Sequence, residues 1–358
     1  MHFLDLGKPD GRRITLYGNE PVTGVGPARA PATGGSGGTP HLRWHPLRDE
    51  WVAYAPHRQD RTFLPPARFN PLRPSDDPSM PTELPEGRYD VAVFDNLFPA
   101  LSPAARDAPE LHVPSLPARG RCEVVVFTQD SEATLAELPL AHIALLLEVL
   151  GDRTARLARE KPVRYVMPFE NRGIEMGVTL PHPHGQIYAY PFVPPVPRRM
   201  LRRETAHFRR HGRNLLVELM QRETESGRRV IWHGDRALAF VPAWARYPFE
   251  VWLAPRQPCA SFGALEREAR DELALALKTV LRKYDRLFDR PMPYVLAWYQ
   301  APVRGRAYPE CQLHAEILPA YRTSDKLKYL AGTEVAAGTF ANDILPEEAA
   351  ARLAAVVG

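Results

Sequence analysis

The sequence predicts an α+β fold made of two similar halves, and three observations predict it. The order of elements repeats: an apolar strand over residues 123–127 leads through a loop into a helix, and so does another over 250–253. Apolar residues keep helical spacing in both helices, Ile143, Leu146, Leu147, Leu150 and Leu157 in the first and Leu273, Leu277, Val280, Leu281, Tyr284, Leu287 and Phe288 in the second. Each helix is followed by a strand, 165–169 or 294–298, and then by a histidine-bearing strand, entered by His182 and His184 in the first half and carrying His314 in the second. The halves are expected over residues 41–195 and 196–358, with the chemistry kept in the first.

Residues 23–40 are so rich in Gly and Pro that they cannot bury enough apolar surface to order themselves, which predicts a flexible connector and makes residues 1–40 an N-terminal segment. Prolines between 65 and 85 limit both strand and helix, so a loop covering the core is expected there. At 358 residues and 44% hydrophobic content the chain can bury a sizeable core. It has no run of 18 apolar residues, and its first residues lack the apolar stretch of a secretory signal, so a cytoplasmic protein without membrane contact is expected. Cys122, Cys259 and Cys311 are too few for a disulfide framework and too widely spaced for a paired metal motif, and read as reduced thiols. The net charge is +4, with Arg198, Arg199, Arg202, Arg203, Arg209, Arg210 and Arg213 concentrated locally. No nucleic-acid-binding module accompanies them, so they read as a solvated helix face and no nucleic-acid partner is expected.

The chemistry is concentrated in His182-Pro183-His184-Gly185-Gln186. A neutral imidazole is available at pH 7 and can attack phosphorus directly, giving a covalent nucleotidyl-histidine. Pro181 and Pro183 suit a rigid loop that enters a strand over 187–190, and Gly185 would let a phosphate approach the backbone. Two histidines two apart also share one face of a strand, where they commonly serve packing or a metal. The surrounding residues decide between these readings.

From Phe169 the chain runs Phe169-Glu170-Asn171-Arg172-Gly173, then Glu175-Met176-Gly177-Val178-Thr179-Leu180-Pro181 into the histidines and on through Ile187-Tyr188-Ala189. This run resembles the galactose-1-phosphate uridylyltransferase family, the transferase branch of the histidine-triad superfamily. Residues 51–61 are similar to the family's early strand and Pro-His-Arg segment, Phe94-Asp95-Asn96-Leu97-Phe98-Pro99 to its uridine-contacting turn, 122–127 to the strand after that, and 326–334 to its sugar-phosphate-binding segment. The likeness spans about residues 42–356.

The resemblance implies two histidine-triad-like halves whose antiparallel sheets form an open half-barrel flanked by helices. It implies that His184 attacks the α-phosphorus of UDP-glucose, releases glucose 1-phosphate and holds the uridylyl group until galactose 1-phosphate takes it, a ping-pong cycle. Gln186 stands where histidine-triad hydrolases have a third histidine. An amide can hydrogen-bond a phosphoryl oxygen but cannot protonate a leaving group, which favours transfer over hydrolysis. By the same resemblance Asn171, Gly177 and Thr179 serve the phosphates and Asn96 the nucleoside. Lys328, Tyr329, Thr333 and Glu334 serve the hexose phosphate, while Arg58 and Arg61 reach in from the second subunit of a homodimer. The backbone carbonyl of His182 would fix the tautomer of His184. His57, His112, His142, His207, His211 and His233 are left as structural or exposed.

The chain also departs from the family. Many relatives hold zinc with a Cys-x-x-Cys pair, a later histidine and the first histidine of the motif. Here Asn70, Arg73 and Ser131 replace three of those ligands, so no zinc and no other cofactor is expected, and Asn70 and Arg73 are expected to hold the same loops by hydrogen bonds. A second metal site of some relatives maps onto Met200, Tyr299, His314 and Glu316; two plausible ligands remain, so that site is expected to be absent and His314 to satisfy a core hydrogen bond. Leu97 replaces an acidic residue near the ribose, and Thr333 and Phe340 replace tyrosine and glutamine near the hexose. Two alternatives therefore stand beside uridylyl transfer. One is a related nucleotidyltransferase or phosphorylase with another nucleotide or sugar, and the other is a non-catalytic nucleotide-sugar-binding regulator.

Overall fold

A computed structural model describes residues 1–31, 39–60, 65–66, 69–75 and 77–357. The N-terminal half contributes β1 (His2–Gly7), β2 (Arg13–Gly18), β3 (His41–His45), β4 (Glu50–Tyr54), β5 (Val91–Asp95), β6 (Ser115–Pro117), β7 (Arg121–Val126), helix α1 (Leu140–Ala158), β8 (Tyr165–Arg172) and β9 (His184–Tyr190). Helices α2 (Pro195–His211) and α3 (Leu215–Ser226) follow, then β10 (Val230–His233), β11 (Ala237–Phe240), β12 (Val251–Pro255), α4 (Arg267–Leu287), β13 (Tyr294–Tyr299), β14 (His314–Pro319) and α5 (Pro346–Ala355).

Eleven strands form one open antiparallel sheet in the order β1-β2-β5-β7-β9-β8-β13-β14-β12-β11-β10, and β4-β3-β6 form a small second sheet. The expected duplication is visible in that order. The run β5-β7-β9-β8 in the first half is mirrored by β11-β12-β14-β13 in the second, and the halves join where β8 pairs with β13, from Tyr294 opposite Arg172 to Ala297 opposite Phe169.

The long helices cover one face of the sheet. Ile143, Leu146, Leu147, Leu150 and Leu157 of α1 and Leu273, Leu277, Val280, Leu281 and Tyr284 of α4 are buried with Val125, Ile187, Leu253 and Ile317 in one core. Each such side chain removed from water contributes about 1.5–3 kcal/mol, so the helical periodicity is also what places the helices. Along β9 the pleat then sorts the residues. Gly185, Ile187 and Ala189 are buried, whereas His184, Gln186 and Tyr188 are only partly buried on the opposite face. By contrast α2 buries only Pro197, and Arg199, Arg202, Arg203, Arg209 and Arg210 are exposed on it. Among the described residues no helix is long and apolar enough to cross a membrane.

Two expectations are corrected. Residues 1–40 are not merely a tail with a connector: β1 and β2 form a hairpin, β2 pairs with β5, and Ile14, Leu16 and Tyr17 are buried. The strand β5 would otherwise be a sheet edge, and the alternating residues of β2 give it a partner. The connector is also pinned at its start, by Thr23 N–H donating to Arg88 O at 3.3 Å and Gly26 N–H to Glu86 O at 2.9 Å, while residues 32–38 lie outside the described residues. In addition, His184 and Gln186 lie inside a strand rather than in a loop before one. Val126 of β7 pairs with His184 and Phe169 of β8 with Gln186, so the ladder reaches His184 on the β7 side and Gln186 on the β8 side, and Pro183, which has no N–H to donate, precedes it. The proline-rich stretch behaves as expected: Leu72 and Leu84 from it join Ile14, Leu16 and Phe94 in a second core cluster.

Candidate active site

The site forms on the face of β8 and β9 away from the two long helices. His184 Nδ1–H donates to the backbone carbonyl of His182 at 2.8 Å, which leaves the lone pair on Nε2. Phe127 N–H donates to Pro183 O at 3.1 Å, fixing the turn from which His184 emerges. The expected tautomer is thus imposed by main chain. Gly185 has a reason in the packing of the sheet. A Cβ there would come within 2.9 Å of both the Phe127 ring and Phe169 O, so packing on the buried side already requires glycine.

Strand alternation brings most of the predicted residues to one cavity. A recess of about 150 Å³ is lined by Arg58, Asn171, Gly177, Thr179, His184 and Gln186, together with Phe169, Val178 and Tyr188. Its far wall is a loop that leaves β8 at Gly173, makes a 3-10 turn over Ile174–Met176 and reverses at Gly177, whose φ of 75° suits glycine. Glu175 in that loop accepts from Tyr321 OH at 2.6 Å, so the C-terminal half anchors the loop. Sequence reasoning passed over Tyr188 as a site residue; its place two residues after Gln186 on the same strand face was the available signal.

Arg58 lies in the 3-10 turn Pro56–Asp60 and donates to Phe98 O at 2.9 Å and Tyr188 OH at 3.2 Å. It therefore brings a guanidinium to the cavity of its own chain, where the resemblance had it reaching in from a second subunit. Arg61 lies outside the described residues. Asn96 shapes the turn after β5, its side-chain oxygen accepting from Phe98 N–H at 2.8 Å. Lys328, Tyr329, Thr333 and Glu334 do not line this cavity. Lys328 and Glu334 pair at 2.8 Å, Glu334 also accepts from Ala331 and Ala341 N–H, and Tyr329 is 72% exposed.

A second cavity of about 440 Å³ opens beside the first, with His182 and His184 on its wall along with Glu170, Glu175, Arg290 and Tyr321. Burial raises the Glu170 carboxyl from its ordinary 4.5 to about 7, against the opposing pull of Arg172 and of the Tyr294 hydroxyl that donates to it at 3.1 Å. Burial also lowers the His182 pKa, so that ring stays neutral. Its Nδ1 lies 3.0 Å from the Asn70 amide nitrogen and its Nε2 2.7 Å from Thr128 O. Arg73, expected to help here, is exposed, with only its backbone N–H closing a turn on Asn70 O at 3.3 Å. Ser131 donates to Glu132. This donor set does not fit zinc, because an amide N–H already occupies the imidazole lone pair and neither a carboxamide nitrogen nor an exposed guanidinium replaces a thiolate.

The matching place in the second half is closed. His314 Nδ1–H donates to Gln312 O at 2.8 Å, as His184 does to His182, and this is the core hydrogen bond expected of it. Trp252 and Tyr299 stack on its two faces at 5.0 and 5.2 Å, and Glu316 pairs with Arg246 at 2.5 Å. His314 is 3% exposed, and the recess it lines holds only about 20 Å³. His142 and His57 likewise bond to backbone carbonyls, of Phe127 and Pro99.

An imidazole and a carboxamide on alternate residues of one strand, set in a duplicated antiparallel sheet, are the arrangement of a histidine-triad nucleotidyltransferase. The chain matches the family described as "Galactose-1-phosphate uridyl transferase, N-terminal domain" over residues 35–194 and the corresponding C-terminal domain over 201–357. It is 36% identical over 319 residues to the galactose-1-phosphate uridylyltransferase of Thermotoga maritima, covering 87% of this chain and 97% of that protein. It is 39% identical over 267 residues to that of Streptomyces lividans, covering 74% and 71%. A solved structure of uridylyltransferase superposes with a TM-score of 0.79 at 31% identity, covering 88% of this chain and 98% of that one. This chain belongs to the galactose-1-phosphate uridylyltransferase family.

Proposed function

We propose that this protein moves a uridylyl group between UDP-glucose and a hexose 1-phosphate, galactose 1-phosphate in the first instance, through a covalent bond to His184. The observation that carries the reading is the Nδ1–H of His184 held on the His182 carbonyl at 2.8 Å while the ring lines a cavity with Arg58, Asn171, Thr179 and Gln186. In the first step the Nε2 lone pair forms the N–P bond as the P–O bond to glucose 1-phosphate breaks, and that product leaves with the electron pair. In the second, a phosphate oxygen of galactose 1-phosphate attacks the same phosphorus and the N–P electrons return to Nε2. Glucose 1-phosphate leaves as a stable anion, galactose 1-phosphate attacks as one, and the imidazole departs neutral, so charge stabilisation outweighs proton donation near pH 7. Gln186 supplies a neutral N–H to a phosphoryl oxygen, and Arg58 a positive charge that suits phosphate. The enzyme is read as a cytoplasmic homodimer that needs no metal.

The test is intact-mass measurement after incubation with UDP-glucose or, separately, ADP-glucose. One uridylyl group is expected on the wild type, removed by galactose 1-phosphate, and none on His184→Gly. An adduct on the glycine variant would take the nucleophile role from His184, and an adduct from ADP-glucose alone would reassign the nucleotide. Binding of UDP-glucose without adduct or exchange of labelled glucose 1-phosphate would favour a regulator.

A further inference from the structure

We propose that Asn70 is a positioning residue of this reaction, setting through His182 the direction of a hydrogen-bond chain that ends on the nucleophile and does so without a metal. The proposal rests on the functional reading above for its consequence, but its geometry stands by itself.

The chain of bonds has one consistent direction. Leu72 N–H donates to Asn70 Oδ1 at 2.9 Å, so the amide oxygen is engaged by the backbone and the NH2 faces the His182 ring. An NH2 group has no lone pair to offer, so Nδ1 of His182, 3.0 Å away, must accept. At the other end a carbonyl can only accept, so Nε2 of His182 must donate to Thr128 O, 2.7 Å away. Two independent partners therefore select the same neutral tautomer. The backbone carbonyl of that residue then takes the Nδ1–H of His184.

Burial makes the arrangement consequential. Asn70 is 7% exposed and His182 1% exposed, so neither end of the ring has water to fall back on. The ring thus staples the loop at residues 70–72, the end of β7 and the entrance to β9, and the carbonyl that orients His184 sits at the staple. Without the amide, His182 can turn over or change tautomer, and the carbonyl it carries is released. A shift of about 1 Å at a reacting group is enough to cost on the order of a hundredfold in rate. Here a neutral amide holds the Nδ1 lone pair of His182 and adds no charge beside the nucleophile.

The experiment compares wild type, Asn70→Ala and Asn70→Asp, measuring single-turnover uridylylation with UDP-glucose, KM, thermal midpoint and the nitrogen resonances of histidine-labelled protein. Asn70→Asp keeps the volume and the bond from Leu72 N–H but presents an acceptor where the ring needs a donor. If Asn70 only fills space, that variant behaves as wild type. The expected result is a roughly ten- to hundredfold slower uridylylation in both variants with KM changed far less, and an Nδ1 of His182 that is unprotonated in wild type but carries a proton in Asn70→Asp. Exhaustive dialysis of wild type against a chelator is expected to leave its rate unchanged. Wild-type rates in the aspartate variant, a protonated Nδ1 in wild type, or a chelator-induced loss restored by zinc would each overturn the proposal. If Asn70→Ala does not fold, the aspartate variant decides. If wild type takes up no uridylyl group, the functional reading fails, and the nitrogen resonances still report on the hydrogen-bond direction.

Discussion

His184 and His314 have the same local geometry, and their surroundings alone separate the proposed nucleophile from a core residue. Each donates Nδ1–H to the carbonyl two residues back at 2.8 Å, but His184 opens on two cavities while His314 is 3% exposed between two aromatic rings. The neighbouring carboxyl of Glu170 shows how strongly burial acts at this end of the sheet. Its folded pKa, about 7, lies above the ordinary 4.5, so the stability it confers is complete below about pH 4.5 and is lost as pH rises through about 7, when a buried group must ionise. A shift of that size corresponds to about 3 kcal/mol. Glu170→Gln cannot ionise and should therefore match wild type in acid and exceed it in alkali. Urea unfolding of both proteins at about pH 4 and pH 8 checks this, and a stability difference that is the same at both pH values would contradict it. That His184, Gln186, Asn171 and Thr179 would share a site was legible because they lie in a short continuous run, and one cavity does bring them together. The state of Glu170 was not, because the Tyr294, Arg172 and Asp285 that surround it come from both halves of the chain.

At the scale of elements, the least expected feature is the hairpin of β1 and β2, which extends the large sheet beyond the repeated unit. Leu16 is fully buried among Ile14, Leu72, Leu84 and Phe94, so the hairpin shares a core with β5 and the proline-rich loop. If it folds with the rest, Leu16→Ala should lower global stability by about 2–5 kcal/mol, seen as a shifted denaturant midpoint in a single transition. An unchanged main transition with a separate early loss of β signal would instead make the hairpin an appendage. Helices α1 and α4 were readable because their apolar spacing runs over several turns and nothing competes with it. The start of β9 was harder. Pro181, Pro183 and Gly185 read locally as loop residues, yet Gly185 is a strand residue whose side-chain space is taken by Phe127, a contact that only the pairing of β7 with β9 creates.

The whole molecule places the residues proposed for catalysis unequally. The repeated order of strand, helix, strand and histidine-bearing strand made two halves visible in advance, and the sheet joins them through β8 and β13, directly behind the site. The segment after Tyr321 is the exception. Lys328 is tied to Glu334 and to Ala341 O at 2.5 Å, and the part that follows leaves Tyr329 72%, Leu330 48% and Val335 61% exposed, away from the chain's own cavity. Apolar and aromatic side chains held out on a braced loop are costly to leave in water and suit an interface. In the proposed homodimer this segment is a surface suited to a partner, and wild type should sediment at twice the mass of one chain. Leu330→Asp with Val335→Asp would place two charges in that contact and should shift the species to single-chain mass, with a folded circular dichroism spectrum, because neither side chain belongs to a core cluster. Hexose-phosphate turnover should fall with the dimer if the segment serves the neighbouring site. Formation of the uridylyl adduct should fall far less, since His184, Gln186 and Arg58 share one chain. A double variant that remains dimeric would show that the contact lies elsewhere, and a wild type that is monomeric at all concentrations while turning over both substrates would show that each chain works alone.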